Sequence, residues 1–146
     1  MRLLELGCGN GDMWQEKDLI IETCDRLVLS DFSQTMVNSA KIKLKNYKNI
    51  SFKVIDIQEI PFEDESFDIV IANMMLYHVQ DINKAVSEVK RVLKGGGKFY
   101  SAINGENGIV KYISNNLSNF GVENTLNRNF TLQNGKEILL KTFEFI

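Results

Sequence analysis

The chain has 146 residues, with 17 basic and 19 acidic side chains and a formal net charge of −2. That length suits a single domain around one buried core, and the small acidic surplus argues against a nucleic-acid binder working through the phosphate backbone. Apolar residues make up 44% and charged residues 25%, the balance of an ordinary soluble globular protein. No run approaches the ~18 apolar residues of a membrane span, and Met1-Arg2-Leu3-Leu4-Glu5 lacks the regions of an export signal. The two cysteines, Cys8 and Cys24, read as free thiols in a reducing cytoplasm.

Apolar runs alternate with helical stripes along the chain. Residues 3–6 form a short apolar run ending at Gly7, which predicts a buried strand. Residues 27–29 predict a second strand, stopped by Ser30-Asp31, and residues 33–46 a helix. Its apolar stripe is Met36, Val37, Ala40, Leu44 and Tyr47, which leaves Lys41, Lys43, Lys45 and Lys48 as a solvated face. Residues 50–57 predict a third strand, closed by the Pro61 turn, and residues 67–72 a fourth. Residues 81–93 carry Ile82, Ala85, Val86, Val89 and Leu93 on one helical face, with Gly95-Gly96-Gly97 as the stop before a fifth strand at 99–103. Beyond residue 105 the pattern predicts a helix through Ile109, Ile113, Leu117 and Phe120, then an Asn-rich loop. A last helix follows, capped by Thr131 with Ile138, Leu139 and Phe143 inward, and a strand begins at residue 144. This order implies an α/β fold with a doubly wound, mainly parallel sheet flanked by helices. No repeat or linker divides it, so residues 1–146 read as one domain.

The chemistry concentrates after the first strand, in Glu5-Leu6-Gly7-Cys8-Gly9-Asn10-Gly11. Glycines let the backbone approach a ligand closely, and a following helix would aim free N–H groups and its positive dipole end at an anion. In an open α/β sheet this loop stands in the ligand crevice at the carboxyl ends of the strands. Asp31 closes the second strand, where a carboxylate can accept both ribose hydroxyls of a nucleoside. The nicotinamide pattern G-x-G-x-x-G fails here: from Gly7 it requires glycine at Asp12, and from Gly9 at Trp14.

The motif reads instead as E-x-G-x-G-x-G, which resembles motif I of the class I S-adenosylmethionine-dependent methyltransferases. Leu29-Ser30-Asp31-Phe32-Ser33 followed by Met36 resembles that family's second-strand signature. Val54-Ile55-Asp56-Ile57, and then the segment from Pro61 to Asp68, resemble its third strand and the entry to its fourth. Met75-Leu76-Tyr77-His78-Val79 and Val92-Leu93-Lys94-Gly95-Gly96-Gly97 continue the match in order to about residue 103. The resemblance implies a Rossmann-like domain that binds S-adenosyl-L-methionine and transfers its methyl group to a small-molecule acceptor. It implies that Gly7, Cys8, Gly9 and Gly11 wrap the methionine part of the cofactor, with Glu5 positioning the loop or meeting the amino group. Asp31 would hold the ribose hydroxyls. Phe32 would line the adenine pocket, Met36 would join the cofactor-binding set, Asp56 would accept the adenine amino proton beside the Ile57 N–H, and Asn73 would flank the methionine moiety.

Plainer readings stand beside several of these. Cys8 is also a small filler in a tight turn, Asp56 a turn cap, Phe32 a core residue, and Asp12 and Trp14 a cap and a packing residue. His78, the single histidine, reads either as general base toward the acceptor or as pocket lining. The carboxylates Asp64, Glu65 and Asp68 read as a solvated turn, with no metal expected. Family members carry helices before motif I and strands after the fifth, so the resemblance implies a member shortened at both ends, with exposed edges that favour a homodimer. A non-catalytic cofactor-binding module and a nicotinamide-dependent oxidoreductase are the alternative functions.

Overall fold

The structure, a computed structural model, describes residues 1–103, 105, 111, 115–116 and 128–143. Among the described residues, five parallel strands form one sheet: β1 (Arg2–Leu6), β2 (Arg26–Asp31), β3 (Ile50–Val54), β4 (Phe67–Asn73) and β5 (Leu93–Ala102), in the order β3-β2-β1-β4-β5. The helices whose bounds lie among the described residues are α1 (Asp18–Glu22), α2 (Gln34–Lys43), α3 (Ile82–Val92) and α4 (Gly135–Leu140). Strand alternation sends side chains to two cores. Leu4, Leu6, Val28, Val70 and Ala72 join Ala85, Val89 and Val92 of α3 on one face. Leu3, Leu27 and Leu29 join Ile21, Trp14, and Ala40 and Leu44 of α2's side on the other. The strand order reverses between β1 and β4, so their carboxyl ends diverge into a crevice.

Local chemistry explains the helix boundaries. Ser33 caps α2 by accepting the Met36 N–H at 3.4 Å, and Asp81 caps α3 by accepting the Lys84 N–H at 3.0 Å. Buried Ala85, Val86, Val89 and Val92 give α3 a sharply one-sided face.

Four sequence expectations are corrected. No long helix follows the glycine loop: a three-residue 3-10 turn (Asp12–Trp14) does, and left-handed Glu16 (φ 58°) interrupts the chain before α1. A turn this short has no macrodipole to aim at an anion. The third strand stops at Val54, because Asp56 turns the chain by accepting the Gln58 N–H at 2.8 Å. The glycines at 95–97 lie within β5 rather than before it. Phe67 and Ile69 are two residues apart while their partners Leu93 and Lys98 are five apart, so the glycines absorb a bulge, with Gly96 at φ 77°. Finally, α4 starts after Asn134 rather than at a Thr131 cap, and no side chain caps it: the Asn134 side-chain oxygen instead accepts the N–H of fully buried Thr131 at 2.7 Å. The helix expected through Ile109, Ile113, Leu117 and Phe120 and the strand expected from 144 lie outside the described residues.

The long β3–β4 connection contains no helix and is held from α3. Arg91 donates to the Ile60 and Phe62 carbonyls at 2.8 and 2.7 Å, and to Glu88 and Asp64. Glu88 in turn accepts the Ile60 N–H at 2.8 Å. Only a planar, forked guanidinium reaches all of these acceptors at once. Replacing Arg91 by alanine is expected to lower unfolding stability by about 2–4 kcal/mol, and lysine to restore less than half of it, as read by urea denaturation.

Candidate functional site

A crevice of about 620 Å³ opens at the carboxyl ends of β1–β4, within the range of small-ligand pockets. Its lining brings together Gly7 and Gly9 after β1, Asp31 and Phe32 after β2, and Asp56 and Ile57 after β3. Asn73 and His78 join from β4 and the segment beyond it. These eight residues are scattered over some seventy positions of sequence, and parallel strand order alone gathers them.

The glycine loop is fixed chiefly by β2. The Cys8 N–H donates to the Ser30 carbonyl at 2.8 Å, and the Gly9 N–H donates to one Asp31 oxygen at 2.9 Å. The other Asp31 oxygen accepts the Ser33 N–H at 2.8 Å. Each carboxylate oxygen keeps lone-pair capacity, so Asp31 can serve the loop and a ligand diol together. Gly7 (φ 76°) passes so close to Met75 that an added Cβ would lie 2.8 Å from its Cβ and Cγ, whereas a Cβ on Gly9 (φ 55°) would meet nothing within 4 Å. Gly7 is thus glycine for packing, and Gly9 leaves the crevice open.

Four residues tied to the cofactor by sequence stand off the lining. Glu5 is 2% exposed and accepts a hydrogen bond from the indole N–H of Trp14. Cys8 is buried among the apolar residues around α2, and burial pushes its thiol up to about 12, which leaves no thiolate for nucleophilic work. Gly11 packs on α2, where a Cβ would lie 3.1 Å from both Ala40 and Leu44. Met36 is exposed on α2 outside the crevice. Phe32, by contrast, is 76% exposed at the rim, which excludes the core reading. Asp56 does cap its turn and also reaches the lining, with Gln58 donating to it from backbone and side chain.

At the β4 end, Asn73 donates to the Met13 sulfur at 3.2 Å, and the Met74 N–H makes the last β4–β5 rung to the Ala102 carbonyl at 2.8 Å. Met74 adopts φ 52°, a conformation costly for a side chain with a Cβ, and such strain tends to collect at functional sites. His78 is exposed at the crevice with its ring 4.3 Å from that of Tyr77. Sequence reasoning assigned no role to Met74, Met75, Gln58 or Gln80, which also line the crevice. The segment after β4 was visible as a motif, but a left-handed methionine has no sequence signal. The acidic turn is spoken for by separate partners, Asp64 by Arg91 and Asp68 by Lys94 at 2.7 Å and the Arg2 N–H at 2.6 Å.

Burial raises the Glu5 carboxyl to about 7; the nearby Asp31 charge adds to the rise, and the Trp14 hydrogen bond opposes it. A carboxyl raised on folding binds its proton more tightly in the folded chain. Its contribution is therefore full below the unfolded value near 4.5 and is lost as pH climbs through about 7. We expect unfolding stability to fall by about 3 kcal/mol across that window from this group, and the fall to vanish in Glu5→Gln, read by denaturant titrations at several pH values.

A crevice at the switch point with a glycine loop and an acid closing β2 is an arrangement suited to a nucleoside, and similarity to known proteins identifies the class as the class I S-adenosylmethionine-dependent methyltransferases. The chain belongs to the methyltransferase domain family, whose model matches residues 4–101. Over 105 residues it is 40% identical to the ubiquinone/menaquinone biosynthesis C-methyltransferase UbiE of Rickettsia prowazekii, covering 66% of this chain and 42% of that protein. The YcgJ protein of Bacillus subtilis superposes with a TM-score of 0.73 at 26% identity, covering 97% of this chain and 60% of that one. The trans-methyltransferase CalH, solved in complex with SAH, shares the fold with a TM-score of 0.75 at 20% identity, covering 97% and 44%. The chain therefore spans about two fifths of the length of the curated relatives it matches.

Proposed function

We propose that this chain binds S-adenosylmethionine in the crevice and supports methyl transfer to a small-molecule acceptor. The observation that carries the reading is the convergence on one crevice of Gly9, Asp31, Ile57 and Asn73, from four different strand ends. The residues fit the group. Asp31 retains acceptor capacity for the ribose diol, the open side of Gly9 admits a ligand against the backbone, and Phe32 offers an exposed ring at the rim.

When bound, the cofactor would supply an electrophilic methyl group whose transfer in line to the acceptor leaves the sulfonium sulfur as a neutral thioether. The chain's part is to orient and to exclude water. Leu6, Met75 and Val79 give the crevice apolar walls, which strengthen the few polar contacts within it. His78 is the titratable side chain that the described lining offers on the β4 side, and it would hold or take the acceptor's proton where the nucleophile keeps one. The UbiE relative is named for C-methylation in ubiquinone and menaquinone biosynthesis, which supports a small organic acceptor here. A cytoplasmic location belongs to the same reading; among the described residues no helix is long and apolar enough to cross a membrane. So does self-association through the sheet edges, where Val54 on β3 and Tyr100 on β5 are exposed.

Calorimetric titration with S-adenosylhomocysteine, in the presence and absence of NAD, tests the proposal. Saturable binding that NAD does not displace is expected. Preference for NAD would turn the reading to a nicotinamide enzyme. Tight S-adenosylhomocysteine binding without methyl transfer to any of a panel of small acceptors would reduce it to a binding module.

A further inference from the structure

Glu5, at the buried end of β1, and Trp14, at the end of the 3-10 turn, bracket the glycine loop in sequence and meet through one hydrogen bond. Both are almost fully buried, at 2% and 3% exposure. We propose that the pair is a strap on loop 7–11, and that Trp14, acting through Glu5, is a positioning residue for the cofactor. The inference rests on the cofactor reading above and adds to it the device that sets the loop's shape.

The front of the loop is pinned to β2 by the Cys8 and Gly9 N–H groups. The back, residues 10–14, is tied by the Gly11 N–H to the Cys8 carbonyl at 3.0 Å, a bond within the loop, and by the Asn73 amide to the Met13 sulfur at 3.2 Å, a weak acceptor. A 3-10 turn of three residues cannot sustain itself, and the Asn10 side chain accepts the Asp12 N–H at a long 3.2 Å. Asp12 pairs with Lys43, but that carboxylate is 62% exposed, and exposed ion pairs hold little. The Trp14 N–H reaches back to the Gly11 carbonyl at 3.1 Å, so a fixed indole fixes the last glycine of the loop. Glu5 is itself immobile, since its backbone carbonyl accepts the Ser30 hydroxyl at 2.7 Å across β1 and β2.

The strap is also sensitive to charge. Among the described residues, the charged or titratable groups facing the Glu5 carboxyl are Asp31 from β2 and Cys8 from the loop, and neither favours its ionised form. The Trp14 indole N–H is the group that does. A hydrogen bond to a carboxylate is stronger than one to a neutral carboxyl, so the strap tightens as Glu5 loses its proton.

Trp14 is the sole tryptophan of the chain, so its fluorescence reports this contact directly. In the full chain without added nucleoside, emission is expected to titrate with a midpoint near the Glu5 value of about 7, and to stay flat in Glu5→Gln, whose amide oxygen still accepts the indole N–H. Trp14→Phe keeps an apolar ring but removes the donor, and is expected to weaken S-adenosylhomocysteine binding about 10-fold; Glu5→Gln, which keeps an acceptor for the indole N–H, is expected to lose less affinity than Trp14→Phe. An emission titration that persists in Glu5→Gln, or is absent from the parent chain, overturns the strap. So does a folded Trp14→Phe that binds like the parent. The fluorescence arm needs neither ligand nor the phenylalanine variant, so a failure of cofactor binding and a failure of the strap are told apart.

Discussion

Replacing Asp31 by alanine is expected to weaken S-adenosylhomocysteine binding by about 100-fold or more while the chain stays folded. The carboxylate holds two positions at once. It accepts the Gly9 N–H and the Ser33 N–H, and through the first it fixes the loop that forms one wall of the crevice. Its remaining lone pairs point to the role expected for a ribose diol. Alanine removes the diol acceptors and releases the loop, and two charge-assisted hydrogen bonds at about 1.5–3 kcal/mol each correspond to a loss of this size. Asp56→Ala is expected to cost only about 5- to 10-fold, because one hydrogen bond to an adenine amino group is at stake and Gln58 already occupies part of that carboxylate. Titration calorimetry on the two variants, with circular dichroism as the check on folding, measures the contrast. Equal losses would mean that Asp31 has no special place in the site.

The second large effect separates two glycines that look alike in sequence. Gly7→Ala is expected to destabilise the chain by about 2–4 kcal/mol, because the new Cβ would stand 2.8 Å from Met75 at a left-handed φ of 76°. Gly9→Ala meets no neighbour and carries only the conformational cost, about 1 kcal/mol. Its Cβ would project into free space beside the crevice lining, so this variant is expected to keep its melting temperature within a few degrees and to lose most of its affinity for S-adenosylhomocysteine. Thermal melts and binding titrations on both variants check the pair. A Gly9→Ala chain that binds normally would place the ligand elsewhere.

The parts of the fold legible in sequence are those written as periodicity. The apolar runs at 3–6, 27–29 and 67–72 became β1, β2 and β4 nearly as read, because strands buried on both faces are continuously apolar. The Ile82, Ala85, Val86, Val89 spacing became α3. What failed was decided by single residues and tertiary contacts. Left-handed Glu16 broke the helix expected after the loop, the Asp56 turn shortened the third strand, and a bulge took up Gly95, Gly96 and Gly97. The crevice was legible through the order of motifs, which parallel topology turns into adjacency. The division of labour within it was not. Spacing could not reveal that Gly11 serves the α2 packing, that Glu5 is sealed against Trp14, or that Arg91 ties down the loop after Asp56.

Amide chemical-shift mapping with S-adenosylhomocysteine on the intact chain tests cofactor binding in this crevice most directly. The largest perturbations are expected at Gly7, Gly9, Phe32, Ile57, Asn73 and Met74, which share the crevice although they come from four separate strand ends. Perturbations confined to other surfaces, or none at saturating ligand, would contradict it.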